Sequence, residues 1–475
     1  MEIDISAAFS DRIGENGIKK YDYQKCTEII KEIQNNFLKE EKQGYETLVK
    51  NLRAWTKSHE QKDDIKDVLD VSSIIRNEFN AKAFVVVGIG GSDLGAITLF
   101  EALNPPTHNH IPEYERVDAP EIYFTGDTFD PAVIYSILHM LRSRDMLLKT
   151  VFNIISKSGR TTETISSFLI IKHILEKELI KINKSPDSYS KQIVLTTGPN
   201  DKSLLYKLSK NHKEDFMALL PVPDGVGGRF SFASPVGLLP MAVSTPGNKH
   251  DMENRVYKLI NGLRDGETSV YFEPQDPRNI SANLAAINYL CEKLGKTNIV
   301  FYPYAKILKR LGEWYTQLYT ESLQERGAGL NIIATCGPTG NHSILNGIIN
   351  GPRDKLIYFI HVKEFDKTQD FIIPDANFLE GDLKELPGLK LSQLQEASFS
   401  GTQKNFTKNS IPNIIIHIPK ITPYHIGKLM YQLESAVAIE GELRGLGRLA
   451  YEQSGVEGYK KETREIIKKL SKYKI

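Results

Sequence analysis

Cysteine is scarce in this chain: Cys26, Cys291 and Cys336 are the only three among 475 residues, and they lie far apart. There is no CxxC pair and no even-numbered set to build a disulfide framework, so the fold must be held by its core. That thiol usage fits a reducing cytosol. Charge of one sign is also missing. Sixty basic and 59 acidic side chains leave a net charge of +1, and nothing in this balance argues for a nucleic-acid or anionic-membrane surface. Long apolar runs are absent too. None approaches the roughly 18 residues of a membrane span, and the opening MEIDISAAFSDRIGENG is too polar for a signal peptide. We expect a cytoplasmic protein with neither nucleic-acid nor membrane partners.

What is present is alternation. Residues 1–80 are charged and have the apolar spacing of helices, as in KCTEIIKEIQNNFLKEEKQGYETLVKNLRAW. From residue 81 short β-branched runs alternate with helical segments. AKAFVVVGIGG, EIYFTGD, TVFNIIS and KQIVLTTG each end in small or turn-forming residues and lead into a helical pattern. A second series follows in TNIVFYPYA, GLNIIATCG, KLIYFIHV and NIIIHIPK, with a long helix expected through Glu325 and another over 423–443. Such alternation predicts right-handed crossovers and parallel sheets covered by helices on both faces. Two doubly wound domains in tandem are expected. The first spans 1–245 with the N-terminal helices, the second 246–443, the boundary falling near PGNKHDMENR, and an arm over 444–475 closes the chain.

In open parallel sheets ligands bind beyond the C-terminal strand ends. Two loops of the first series reach that edge. GIGGSDLG (88–95) starts like a dinucleotide fingerprint, but its third glycine position is Asp93, whose carboxylate would face a pyrophosphate; the loop is better suited to close approach of a small ligand. SKSGRTTET (156–164) offers the hydroxyls of Ser156, Ser158, Thr161 and Thr162 at a helix N-terminus. There is no GxxxxGK[ST], so the expected ligand is a single phosphate on a small molecule. Helix capping by Thr161 alone is the simpler alternative.

Five further side chains invite a role. Arg229, in PVPDGVGGRFSFASPVG, is a lone cation in an apolar stretch and needs an anion or carbonyls. Gln317 and Glu321 are spaced i, i+4 on one helix face, with Glu321 near the helix end, where a partly desolvated carboxylate suits a general base. His342 follows a strand in the loop GPTGNHS, and Lys460 opens a basic helical tail after EQSGVEG. Taken singly, each has an ordinary structural explanation: ion pair, solvated face, loop decoration or lysine run. His108 and His110 have no third metal ligand nearby, so no catalytic metal is expected.

Together and in this order, GIGGSDLG, SKSGRTTET, DGVGGRFSFASPVG and QSGVEGYKK resemble the glucose-6-phosphate isomerase family in its shorter bacterial form, from about residue 80 to 462. The resemblance implies two sugar isomerase (SIS) domains, each a flavodoxin-like αβα sandwich, a homodimer with a shared active site, and cofactor-free interconversion of glucose 6-phosphate and fructose 6-phosphate in glycolysis and gluconeogenesis. By resemblance, Ser156, Lys157, Ser158 and Thr161 bind the phosphate, and Gly91 and Ser92 the sugar. Gln317 accompanies the catalytic base Glu321, His342 and Lys460 assist ring opening, and Arg229 stabilises the intermediate. His342 would serve the partner subunit's site. The family usually continues from its base as Glu-Ser-Asn-Gly-Lys; here the run is Glu321-Ser322-Leu323-Gln324-Glu325-Arg326. A glucose/mannose 6-phosphate isomerase of broader range and a non-catalytic sugar-phosphate sensor are the alternatives. The sensor would keep SKSGRTTET but would not need Glu321, His342 and Lys460.

Overall fold

A computed structural model describes residues 1–211, 215–453, 455 and 457–473. It contains two five-stranded sheets. The first is built from β2 (Ala83–Val87), β3 (Glu121–Thr125), β4 (Thr150–Ser156), β5 (Ile193–Thr197) and β6 (Ala218–Pro221), ordered β3-β2-β4-β5-β6 with every pair parallel. The second contains β7 (Asn298–Pro303), β8 (Asn331–Ala334), β9 (Lys355–Val362), β10 (Asn413–Ile418) and β1 (Glu2–Asp4), ordered β1-β10-β9-β7-β8. Central strands such as AFVVV and TVFNIIS are buried along their whole length, as strands covered on both faces must be. The doubly wound α/β architecture expected from the alternation is present, and the 423–443 helix runs Pro423–Leu443 as expected.

Three elements differ from expectation. β6 was not visible in the sequence, because ALLP is too short to set a period. The long helix after β7 spans Lys309–Leu323 and stops before Glu325: the Gln324 side-chain amide turns to the Leu330 carbonyl (3.0 Å) and Asn331 (2.9 Å), and Arg326 and Gly327 take positive φ. The opening residues, grouped by sequence with the first domain, join the second sheet instead. β1 pairs antiparallel with β10, placing Ile3 opposite Ile416. The Lys20–Lys42 helix follows it there, with the Tyr23 hydroxyl donating to Asn283 (2.6 Å) and the Gln34 amide to the Val270 carbonyl (2.5 Å). The β1–β10 pairing links residues more than 400 positions apart and leaves no local pattern.

One apolar core runs from the inner face of the first sheet, through the Pro235–Val243, Lys249–Val270, Ile280–Lys293 and Pro423–Leu443 helices, to the second sheet. Two smaller clusters fill the outer faces. The continuous core fixes the C-terminal edge of the first sheet against the Lys309–Leu323 helix, and the site lies there.

Candidate active site

The loop after β2 and the turn carrying Arg229 touch backbone to backbone. A Cβ on Gly91 would stand 2.2 Å from the Gly228 carbonyl carbon, so only glycine allows this approach. Ser231 Oγ donates to the Gly91 carbonyl at 3.0 Å and closes the contact. Gly90 lies against Gln317, where a Cβ would be 3.0 Å from Nε2. The glycine loop thus abuts the helix that bears Gln317 and Glu321. Ser92 is partly buried in the same turn. Asp93 takes the N-cap position of the Leu94–Leu103 helix, yet its side chain makes no capping bond.

Arg229 is buried to 1% exposure, and each of its nitrogens is used. Nε donates to Ser322 Oγ (2.7 Å), Nη2 to the Ala450 and Glu452 carbonyls (2.9 and 3.1 Å), and Nη1 to Glu321 Oε2 (3.3 Å). Burial lowers its pKa, and the Glu321 carboxylate opposes that shift. Glu321 is about a quarter exposed and receives two more donors, Gln317 Nε2 on Oε1 (2.9 Å) and Gln453 Nε2 on Oε2 (2.9 Å). Both carboxylate oxygens are therefore aimed by neutral amides and a cation. Gln317 Oε1 is buried with no hydrogen-bond partner among the described residues, leaving an acceptor beside the glycine loop. Gln453 escaped the sequence reading. Its signal was the seven-residue spacing from Lys460 within EQSGVEGYK, which carries no meaning until Glu321 is seen facing it.

The hydroxyl-rich loop sits at the end of β4. Thr161 is the N-cap of the Thr162–Lys181 helix, but its side chain makes no capping bond; Oγ1 lies 2.9 Å from Ser156 Oγ instead. Simple capping therefore does not account for this threonine. Ser158 Oγ accepts from the Arg160 amide (3.2 Å). Lys157 extends away from solvent and donates to the Val226 carbonyl (2.7 Å), tying this loop to the Arg229 turn, and burial lowers its pKa. Phosphate-loop candidates, glycine loop and Arg229 turn thus share the C-terminal edge of the first sheet.

His342 is not brought to this group. It is exposed, in the loop after β8, where Asn341 beside it is held by the Tyr302 hydroxyl (2.5 Å) and Thr402 (2.9 Å). That is the C-terminal edge of the second sheet. Glu321 lies at the opposite edge, beside the start of β8, because the Lys309–Leu323 helix runs back antiparallel to the strands. Four residues of strand, about 13 Å, lie between the two edges. Lys460 is partly buried in the first turn of the Glu457–Leu470 helix. His108 is buried with Nε2 against the Pro120 carbonyl (3.0 Å) and does not pair with His110. Among the described residues the group best shaped for a metal is His59, Glu60 and Glu267, but the Lys57 ammonium already lies among its carboxylates, ion-paired to Glu267 and to Glu60 (3.5 Å). No helix among the described residues is long and apolar enough to cross a membrane.

This geometry can be set beside known proteins. Residues 56–338 match the family model for phosphoglucose isomerase. The chain is 34% identical to the glucose-6-phosphate isomerase of Carboxydothermus hydrogenoformans, covering 85% of this chain and 82% of the relative. It is 32% identical to that of Alkaliphilus metalliredigens, covering 85% and 83%. Among solved structures, a hypothetical protein of Thermus thermophilus superposes with a TM-score of 0.75 at 25% identity, covering 94% of this chain and 96% of the other. A glucose-6-phosphate isomerase of Chlamydia trachomatis shares the fold, with a TM-score of 0.67 at 19% identity, covering 86% and 74%. The extent of the family match and the identity to these relatives lead to one conclusion: the chain belongs to the phosphoglucose isomerase family.

Proposed function

We propose that this protein interconverts glucose 6-phosphate and fructose 6-phosphate by proton transfer at Glu321, in a site completed by a second copy of the chain. The observation that carries the reading is the Glu321 carboxylate, held by Gln317, Gln453 and Arg229 beside the glycine loop. The phosphate binds at Ser156, Lys157, Ser158 and Thr161, and its binding energy positions the reacting carbons. Gly91 and Ser92 place the sugar. His342 of the second copy and Lys460 open the ring. Glu321 then takes the proton from C2 and returns it to C1. Arg229 is fixed, always cationic and adjacent to the base, so it neutralises the enediolate as charge develops. This chemistry needs no hydride acceptor and no metal.

The position of His342 on the far edge of its own sheet supports the second copy. The excursion between β9 and the Leu391–Lys408 helix supports it, since Phe371 and Phe378 are 74% and 81% exposed there. A second copy would cover such side chains.

The test is conversion of fructose 6-phosphate without metal or nucleotide, read through a coupled dehydrogenase, beside Glu321→Gln. Wild type should turn over, and the variant should lose about a thousandfold or more in kcat while still binding sugar phosphate. Near-normal turnover by Glu321→Gln would move the base elsewhere. Binding without conversion by wild type would favour a sugar-phosphate sensor.

A further inference from the structure

The residues that orient Glu321 and Arg229 come from two different elements. Glu321 and Ser322 belong to the Lys309–Leu323 helix. The Ala450 and Glu452 carbonyls and Gln453 belong to the turn after the Pro423–Leu443 helix. Something must hold these two elements in register, and the usual residues after the base are replaced by Leu323-Gln324-Glu325-Arg326. The structure provides a fully buried carboxylate at the right place. Glu440 Oε1 accepts from the Tyr319 hydroxyl at 2.7 Å, two residues before the base. The same oxygen accepts from Arg444 Nε (3.0 Å) and Nη2 (2.6 Å), at the start of the turn that leads to Ala450. Its other oxygen accepts from Asn288 Nδ2 at 2.8 Å. Arg444 also pairs with Glu292, whose Oε1 accepts from the Gly329 amide (2.7 Å) at the end of the altered loop. Gly441 packs beside them, where a Cβ would lie 2.9 Å from Ala450 and 3.7 Å from Leu323.

We propose that Glu440, acting through Tyr319 and Arg444, is the positioning residue that sets the base helix against the Arg229-binding turn. Glu440 does not touch substrate. It fixes where the Glu321 carboxylate and the Arg229 guanidinium stand relative to one another. A buried carboxylate with both oxygens used by charged, hydroxyl and amide donors is rigid, and a displaced partner leaves an uncompensated charge. The two elements therefore have one low-energy register. This inference rests on Glu321 being the base.

The experiment uses the full-length protein and two variants, Tyr319→Phe and Glu440→Gln, beside Glu321→Gln. Active sites are counted by titration with a phosphorylated aldonate, a mimic of the enediolate. Tyr319→Phe keeps the ring in the core and removes only the hydroxyl, so it stays measurable if Glu440→Gln fails to fold. The expected result is a fall of about tenfold in kcat per active site, with KM within about twofold, and about tenfold weaker binding of the aldonate than wild type. A merely structural role would lower the melting temperature and the number of active sites but leave kcat per site alone. An unchanged kcat per site in Tyr319→Phe, or a raised KM at unchanged kcat, overturns the inference. Turnover retained by Glu321→Gln would instead overturn the assignment of the base.

Discussion

Asp93 stands two residues beyond Gly91, with Oδ1 buried and unpartnered among the described residues. Burial, helped by the nearby Asp127 carboxylate, pushes its pKa up to about 7. The unfolded chain titrates near the ordinary aspartate value, so between about pH 4 and 7 the folded state holds a proton that the unfolded state has lost. Stability at this position is full below that window and falls as pH rises through it. Asp93→Asn should remove the fall. Urea unfolding at pH 5 and pH 8 should show wild type losing up to roughly 3 kcal/mol more than the variant between the two. Equal losses would mean that Asp93 is ionised at both pH values. Arg229 illustrates the complementary case. As a residue type in an apolar stretch it demanded an anion or carbonyls, and it has both; that demand was readable from sequence, whereas the identity of its partners was not.

Among elements, β1 has the least support of its own: three residues with an exposed-buried-exposed pattern. Its contribution comes through Ile3, 4% exposed against β10. Ile3→Ala should destabilise the protein by about 2–3 kcal/mol and lower the urea midpoint. Turnover at low temperature should stay near wild type, because β1 lies at the edge opposite β8. An unchanged midpoint would mean that the N-terminal strand is dispensable to the second sheet. The other strands were legible because a run such as AFVVV, buried on both faces, is recorded residue by residue in its own composition. β1 and β6 were not, because three or four residues set no period and their pairing partners lie elsewhere in the chain.

For the molecule as a whole, the decisive fact is that His342 and Glu321 sit on opposite edges of one sheet. If two copies exchange His342, two inactive variants can rescue each other. Mixing His342→Ala with Glu321→Gln and allowing subunits to re-pair should give heterodimers in which one site carries both substitutions and the other carries neither. About half of all dimers form this way at equal amounts, so roughly a quarter of wild-type activity should return. No recovery, with exchange confirmed by mass, would place His342 in its own subunit's site or outside catalysis.

The sequence alone determined the alternating architecture, the hydroxyl-rich turn at a helix N-terminus and the i, i+4 pairing of Gln317 with Glu321, because each is a local pattern whose physics acts within a few residues. It also carried the family, through motifs that are contiguous along the chain. Only the tertiary structure decided that Gln453 faces the base, that Arg229 is held by the Ala450 and Glu452 carbonyls, that Glu440 joins the two elements bearing them, and that the N-terminal strand completes the second sheet. Those contacts span from 121 to more than 400 positions. They exist because a continuous core packs distant helices into one arrangement, and no residue's neighbours in sequence record that packing.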